Sequence, residues 1–155
     1  NGTQFVITSE KSGYMHLYLY DLNGRERQAI TKGNFDIIDF YGYDPVRKLF
    51  YYSSYEESPL EKYIYSINEK GLKKKLTPVK GWNEASFSKN FNYYINVVSN
   101  TDTPPVTALY NAKGKQVRVL EDNKAVKEAV KAYNLAKPSF KFRQQTVKRC
   151  SMRGS

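Results

Sequence analysis

Sliding the sequence against itself by 45 residues places Tyr20 on Tyr65 and Tyr65 on Tyr110, each closing an apolar run: "HLYLY", "KYIY", "TALY". Each run continues through a short polar turn with a glycine (Gly24, Gly71, Gly114) into a second run, "RQAIT", "KKKLT" or "VRVLE". The same shift superposes Ile7, Tyr52 and Val97, and also Ser9, Ser54 and Ser99, within "FVITSE", "LFYYSSYE" and "YYINVVSN". Self-similarity at about 40 to 50 residues marks a propeller or solenoid array, in which each repeat is one supersecondary unit.

Each period reads as up to four short strands. The second repeat holds "DIIDFYGY", a "DPVRK" turn, "LFYYSSYE", "KYIYSI" and "KKKLT", with β-type runs bounded by turn signals. The third holds "EASFS", a "KNFN" turn, "YYINVVS", "VTALYNA" and "QVRVL". The first has no opening strand and begins at "FVITS", as if the repeat register were cut inside a unit. A four-stranded antiparallel unit of this length is one blade of a β-propeller, whose rings have about four to eight blades. The expected class is all-β: an incomplete β-propeller of three blades over approximately 1–33, 34–79 and 80–121, the first truncated, followed by one C-terminal α-helix. Three blades do not close a ring, so two blade faces are expected to stay bare and to favour self-association.

After the third repeat the period becomes helical. In "EDNKAVKEAVKAYNL", Asp122 or Asn123 is the expected N-cap, and Val126, Ala129, Val130 and Tyr133 share one face before Pro138. Residues 122–142 thus read as an exit helix and linker whose apolar face packs on a neighbour. The segment 143–155 carries four of the ten net positive charges and no acid, has no strand or helix periodicity, contains the sole cysteine, Cys150, and ends in "MRGS". It reads as a cloning-derived tail. Without it there is no cysteine for a disulfide or metal site.

Tyrosine is abundant, 14 residues among 15% aromatics, which suits pleated, half-buried surfaces and reads as blade-to-blade packing. No apolar run approaches the roughly 20 residues that cross a bilayer, and no membrane partner is expected. There is no His or Cys cluster, no Asp-x-Asp-x-Asp loop and no glycine-rich phosphate cradle. No cofactor or metal is expected, and no residue is nominated as catalytic, cofactor-binding or metal-binding.

The segments "GYMHLYLYD", "ITKGNFDIIDFYGYD", "ASFSKNFNYYINVVSNTDTPPVTALYNAKG" and above all "VRVLEDNKAVKEAV" resemble the last blades and exit helix of the amino-terminal propeller of the dipeptidyl peptidase IV family, among the prolyl oligopeptidase serine peptidases. The resemblance runs from about Phe5 to Phe142 and points to bacterial members. It implies a parent in which an eight-bladed propeller caps an α/β-hydrolase domain and dipeptides are released after proline or alanine. It also implies export of the parent to the periplasm or beyond, and partnership with a peptide substrate, further blades and the hydrolase domain.

The chemistry implied for this segment is mostly an absence. No "GxSxG" nucleophile elbow is present, and the single histidine, His16, lies in a predicted strand and reads as structural. The family's propellers hold a substrate amino terminus with two acids, and Glu56-Glu57 is an adjacent acidic pair able in principle to bind an ammonium. Its local sequence does not match the family's pair, so it reads as a solvated loop. The run Lys73 to Lys75 reads as protection of an outer strand edge rather than a nucleic-acid site, and no specific nucleic acid is expected. The leading expectation is a propeller fragment with gating, substrate-access and assembly roles and no catalysis of its own. The alternatives are a segment of a non-enzymatic β-propeller binding protein and, on net charge alone, a weak polyanion binder.

Overall fold

The computed structural model describes residues 2–101 and 103–132. Tyr133, Pro138, the linker, Cys150 and the tail from 143 lie outside the described residues. Strands β1 (Gln4–Ser9), β2 (His16–Asp21) and β3 (Glu26–Ala29) form a three-stranded antiparallel unit. A four-stranded unit follows, with β4 (Ile37–Asp44), β5 (Leu49–Ser58), β6 (Glu61–Asn68) and β7 (Lys73–Lys75). The last comprises β8 (Trp82–Phe87), β9 (Tyr93–Ser99), β10 (Val106–Asn111) and β11 (Gln116–Glu121). A single parallel bridge, Lys62 opposite Trp82, ties β6 to β8. Helix α1 (Lys124–Ala132) closes the described chain. These are blades of a propeller, and the first lacks its opening strand.

One turn is built three times. The Oδ1 atoms of Asp21, Asn68 and Asn111 each accept two backbone N–H groups, at 2.9–3.0 Å, from residues two and four further on. The N–H of Gly24, Gly71 and Gly114 donates back to the carbonyl of the same residue. Such side chains reproduce a backbone turn and leave the glycine to take the left-handed conformation.

Aligned on this turn, the blades do not keep a uniform 45-residue period. Asp21 to Asn68 is 47 residues and Asn68 to Asn111 is 43. Tyr20 therefore matches Ile67, two positions beyond Tyr65, and pairing places Phe5, Phe50 and Tyr94 opposite Tyr20, Ile67 and Tyr110. Ile7 and Tyr52 remain equivalent, but their counterpart in β9 is Asn96 rather than Val97. A slip of two preserves the face of a strand and a slip of one reverses it. Hence Tyr65 keeps its expected side while Val97 turns to the opposite one. The hairpins differ in total span: the equivalent pairs Ile7–Tyr18, Tyr52–Tyr65 and Asn96–Ala108 lie 11, 13 and 12 residues apart along the chain, and the β5–β6 pairing carries an irregularity between Ser54 and Ser58.

The blades stack through alternating faces. Leu17, Leu19 and Val6 of the first blade meet Phe50, Tyr52, Tyr63, Tyr65 and Ile67 of the second. On its other side the second blade presents Tyr51, Ile64 and Leu76 to Tyr94, Ala108 and Tyr110 of the third. The rings are layered: Tyr51 on Phe91 at 4.9 Å, Phe87 on Tyr94 at 4.9 Å, and Tyr94 on Tyr110 at 5.2 Å. Such pairs add about 0.5–1.5 kcal/mol to the burial itself. The aromatic wealth is thus spent on blade packing.

Of the two expected caps, only Asp122 serves with its side chain at the start of α1. Asn123 has φ 51° and its side-chain amide donates to the Pro105 carbonyl at 2.6 Å, so it does not cap the helix. The Asp122 carboxylate accepts the Lys124 N–H at 3.2 Å, while the Asn123 carbonyl accepts the first helical bond from Lys127. Asn123 ties the helix back to the β9–β10 connection instead. Val126 and Val130 are exposed, so the expected packing of this apolar face is not found among the described residues.

Two glycines at the same turn position separate strain from crowding. Gly71 and Gly114 both have φ 81°, but a Cβ on Gly71 meets nothing within 4 Å, whereas one on Gly114 would lie 2.7 Å from the Leu76 carbonyl oxygen. Gly71→Ala should cost about 1 kcal/mol, the left-handed penalty alone. Gly114→Ala should cost about 3 kcal/mol, because the joint between the second and third blades must move as well. Urea unfolding of the two variants checks the difference.

Candidate functional site on the opening strands

In a propeller the opening strand of each blade borders the central channel. Here β4 and β8 are those strands, and Asp39 and Glu84 hold the same position in them, opposite Ser53 and Val97. Between the two carboxylates lies Lys62 of β6. Its side chain is buried although it carries a charge, and its Nζ donates to Asp39 Oδ2 at 3.1 Å and lies 3.6 Å from Glu84 Oε1. The Trp82 ring covers the ammonium at 5.1 Å and its indole N–H donates to Glu84 at 3.3 Å. A buried ammonium is tolerated where carboxylates and hydrogen bonds compensate it.

The strands position this cluster by pairing. The Asp39 N–H donates to Ser53 Oγ at 3.0 Å, and the Ser53 hydroxyl donates to Asp39 Oδ2 at 2.8 Å. Lys62 is fixed because its backbone N–H donates to the Gly81 carbonyl and its carbonyl accepts from Asn83 Nδ2 at 2.9 Å. Partial burial works to raise the Asp39 carboxyl, but the Ser53 hydroxyl and the Lys62 ammonium outweigh it and hold the group below the usual carboxylate value. Burial pushes the neighbouring Tyr41 phenol up to about 12. The arrangement offers two solvent-accessible carboxylates against one shared cation, a cluster whose three charges sum to −1.

The residues singled out in the sequence fall elsewhere. His16 is buried, with Nε2 donating to the Gly33 carbonyl at 3.0 Å and Nδ1 3.1 Å from Thr31 Oγ1, which itself accepts the Leu17 N–H. Phe35 meets the ring edge-on at 5.2 Å. Both nitrogens are engaged in holding the first blade together. Glu56 and Glu57 lie on β5 itself rather than in a solvated loop. They are paired across the sheet with Lys73 at 2.5 Å and Lys75 at 2.8 Å, and Tyr65 donates to Glu57 at 2.9 Å. The Lys75 contact, with Tyr65 and despite partial burial, holds the Glu57 carboxyl low. Lys74, on the other side of β7, donates to the Lys113 carbonyl at 2.8 Å. Alternation thus sorts the three lysines as their sequence implies.

Lys62, Asp39 and Glu84 were not singled out in the sequence. A signal existed, since Asp39 and Glu84 stand one 45-residue period apart and Lys62 directly precedes the apolar run Tyr63–Tyr65.

The fold defines a segment of a β-propeller. The sequence profile of the family described as "Dipeptidyl peptidase IV (DPP IV) N-terminal region" matches residues 1–105. The chain belongs to this family. It is similar to a "Probable dipeptidyl peptidase 4" of Aspergillus flavus, 32% identical over 136 residues, covering 84% of this chain and 17% of that protein. A dipeptidyl peptidase 4 of Trichophyton rubrum is 31% identical over 148 residues, covering 90% of this chain and 19% of that protein. The crystal structure of Porphyromonas gingivalis dipeptidyl peptidase 4 superposes with a TM-score of 0.80 at 44% identity, over 84% of this chain and 19% of that one. The chain therefore spans about a fifth of the length of these relatives. The expected nearness to bacterial members is not borne out by the curated relatives, which are fungal. Among the described residues no helix is long and apolar enough to cross a membrane.

Replacing Asp39 by Asn leaves the buried Lys62 ammonium with only the distant, more exposed Glu84 as a carboxylate partner. The expected loss is about 1–2 kcal/mol, less than for a pair buried on both sides because Asp39 is itself partly exposed. Because the folded Asp39 pKa is depressed, its contribution is fully present above the unfolded value of about 4 and disappears as pH falls through the folded value. Denaturant melts between neutral and acidic pH should show a stability loss in the parent sequence that is reduced in Asp39→Asn.

Proposed function

We propose that this chain is the part of a dipeptidyl-peptidase-IV-like serine peptidase that helps to wall and gate the route of peptides to a catalytic centre on an α/β-hydrolase domain, with no catalysis of its own. The observation that carries the reading is the pair of equivalent carboxylates, Asp39 and Glu84, on the opening strands of a chain in this family. Relatives that share its sequence are named dipeptidyl peptidases, which favours an enzyme parent over a binding propeller. A peptide amino terminus is cationic, and a negatively charged channel edge concentrates cations. In this reading the remaining blades and the hydrolase domain are the partners, and the parent acts in the periplasm or outside the cell.

Two outcomes are expected. The isolated chain should not hydrolyse a Gly-Pro chromogenic substrate, and turnover that survives repeated purification would contradict the reading. In a full-length enzyme carrying this segment, Glu84→Arg should lower kcat/KM for peptides with an additional cationic residue by roughly tenfold, within the range of electrostatic steering. The same substitution should lower the rate on the small chromogenic substrate less, because its amino terminus is its only cation. Equal effects on both substrates would remove the channel-edge role.

A further inference from the structure

The joint between the first and second blades and the joint between the second and third are built from the same parts, yet one is closed and the other is hollow. Matched by strand pairing, Gln28 and Lys74 hold the same position in β3 and β7, the outermost strands, and Ile30 and Leu76 follow them equivalently. Gln28 donates to the Glu69 carbonyl and Lys74 to the Lys113 carbonyl, so each joint is tied at its rim to the turn of the next blade. Beside the second tie, Gly114 lies so close to Leu76 that a Cβ would sit 2.7 Å from the Leu76 carbonyl oxygen. Beside the first, a Cβ on the equivalent Gly71 meets nothing within 4 Å. The space left is a cavity of about 430 Å³, enclosed between the first two blades and away from the opening strands.

This cavity carries polar groups that the fold does not use. Tyr52 forms part of its floor; the residue is fully buried, and its phenolic oxygen has no hydrogen-bond partner among the described residues. Burial, with Glu56 nearby, raises the phenol well above its ordinary value, so the proton stays on and the group is a donor. A buried donor of this kind calls for an acceptor. Three lysines and one carboxylate, Glu69, line the walls. Lys73 is held by Glu56, whereas Lys32 and Lys70 are exposed and have no carboxylate within ion-pair reach among the described residues. One positive charge is therefore left over beside the buried hydroxyl. Phe35 supplies an apolar wall: its ring fills the space where a Cβ on Gly33 would stand, 2.5 Å away, and meets the His16 ring edge-on at 5.2 Å.

We infer that this cavity binds an oxyanion carried on a small organic molecule. A carboxylate, sulfate or phosphate group accepts from the Tyr52 hydroxyl and faces the Lys32 and Lys70 ammoniums, while the carbon skeleton lies against Phe35 and Ile67. The volume falls within the range of about 300–1,000 Å³ usual for small-molecule sites and exceeds the needs of a bare ion. The second joint offers no such site, because Gly114 closes it. The inference uses neither Asp39 nor Glu84, so it stands or falls separately from the channel-edge role.

Titration of the 155-residue chain with sodium sulfate, sodium phosphate and sodium benzoate at constant ionic strength, followed by proton–nitrogen correlation NMR, tests the assignment. Saturable shifts of the Lys32, Gly33 and Gly71 amides are expected with at least one probe, and the tightest of the three identifies the oxyanion. Tyr52→Phe should weaken that binding roughly tenfold, the worth of one hydrogen bond to a charged group, without lowering the urea midpoint, since the hydroxyl has no partner to lose. Should that variant lose its strand circular dichroism, Lys32→Glu takes its place with the same expected weakening. Lys70→Glu should weaken binding by a similar factor. Lys113→Glu, at the same turn position in the third blade, should leave it unchanged. An absence of saturable shifts with all three probes overturns the inference. So does equal weakening by Lys70→Glu and Lys113→Glu, which marks a general attraction of anions, or a folded Tyr52→Phe variant that binds as the parent chain does.

Discussion

Everything in this chain depends on the burial of one sheet face against the next. A single twisted sheet of three or four strands cannot cover both of its sides, and the side chains that alternate along β5 go to two different cores. Phe50 and Tyr52 meet the first blade while Tyr51 meets the third, and all three are almost completely buried. With rings this large, stacking distance is set by aromatic thickness, and volume changes at a joint are felt at once. The second blade, covered on both sides, is the best buried of the three. The outer ones each retain a half-open face.

Charge is placed in relation to these joints. Lys62 sits where β6 approaches β8 through a single bridge, so the one cation buried there also links two opening strands. Across the outer end of the second blade, Lys73 and Lys75 neutralise Glu56 and Glu57. Arg47 holds Asp44 at 2.6 Å and reaches Asn92 of the next blade at 2.5 Å. The cations of these pairs are exposed, which limits what each contributes, although the Asp44 and Glu56 carboxylates are buried. Lys62 is different because its burial makes loss of a partner expensive.

Much of the fold could be read from the residues because a propeller repeats itself. The polar turn with its glycine at Gly24, Gly71 and Gly114, the strands of each blade and the helix after Glu121 all follow from local chemistry. The candidate site was less legible. A lysine inside "EKYIYSIN" looks like any strand lysine, and nothing local says that its ammonium is enclosed between carboxylates from two other strands. Glu56 and Glu57 misled for the same reason, since an acidic pair beside a proline looks like a loop until the lysines of β7 are laid against it. Asn123 looked like a helix cap, but the Pro105 carbonyl competed for its amide.

By itself the sequence determined the number of repeated units, their strand type, the turn chemistry and the family, because these depend on period, on side chains hydrogen-bonding to nearby backbone, and on residue identity. Tertiary structure alone decided the register. Unequal hairpins let Tyr65 slip by two positions and keep its face, while Val97 slipped by one and lost it to Asn96. It alone brought Asp39, Lys62 and Glu84 together as well, since the energy that buries a charged lysine comes from partners on separate strands and cannot be assigned before those strands are packed.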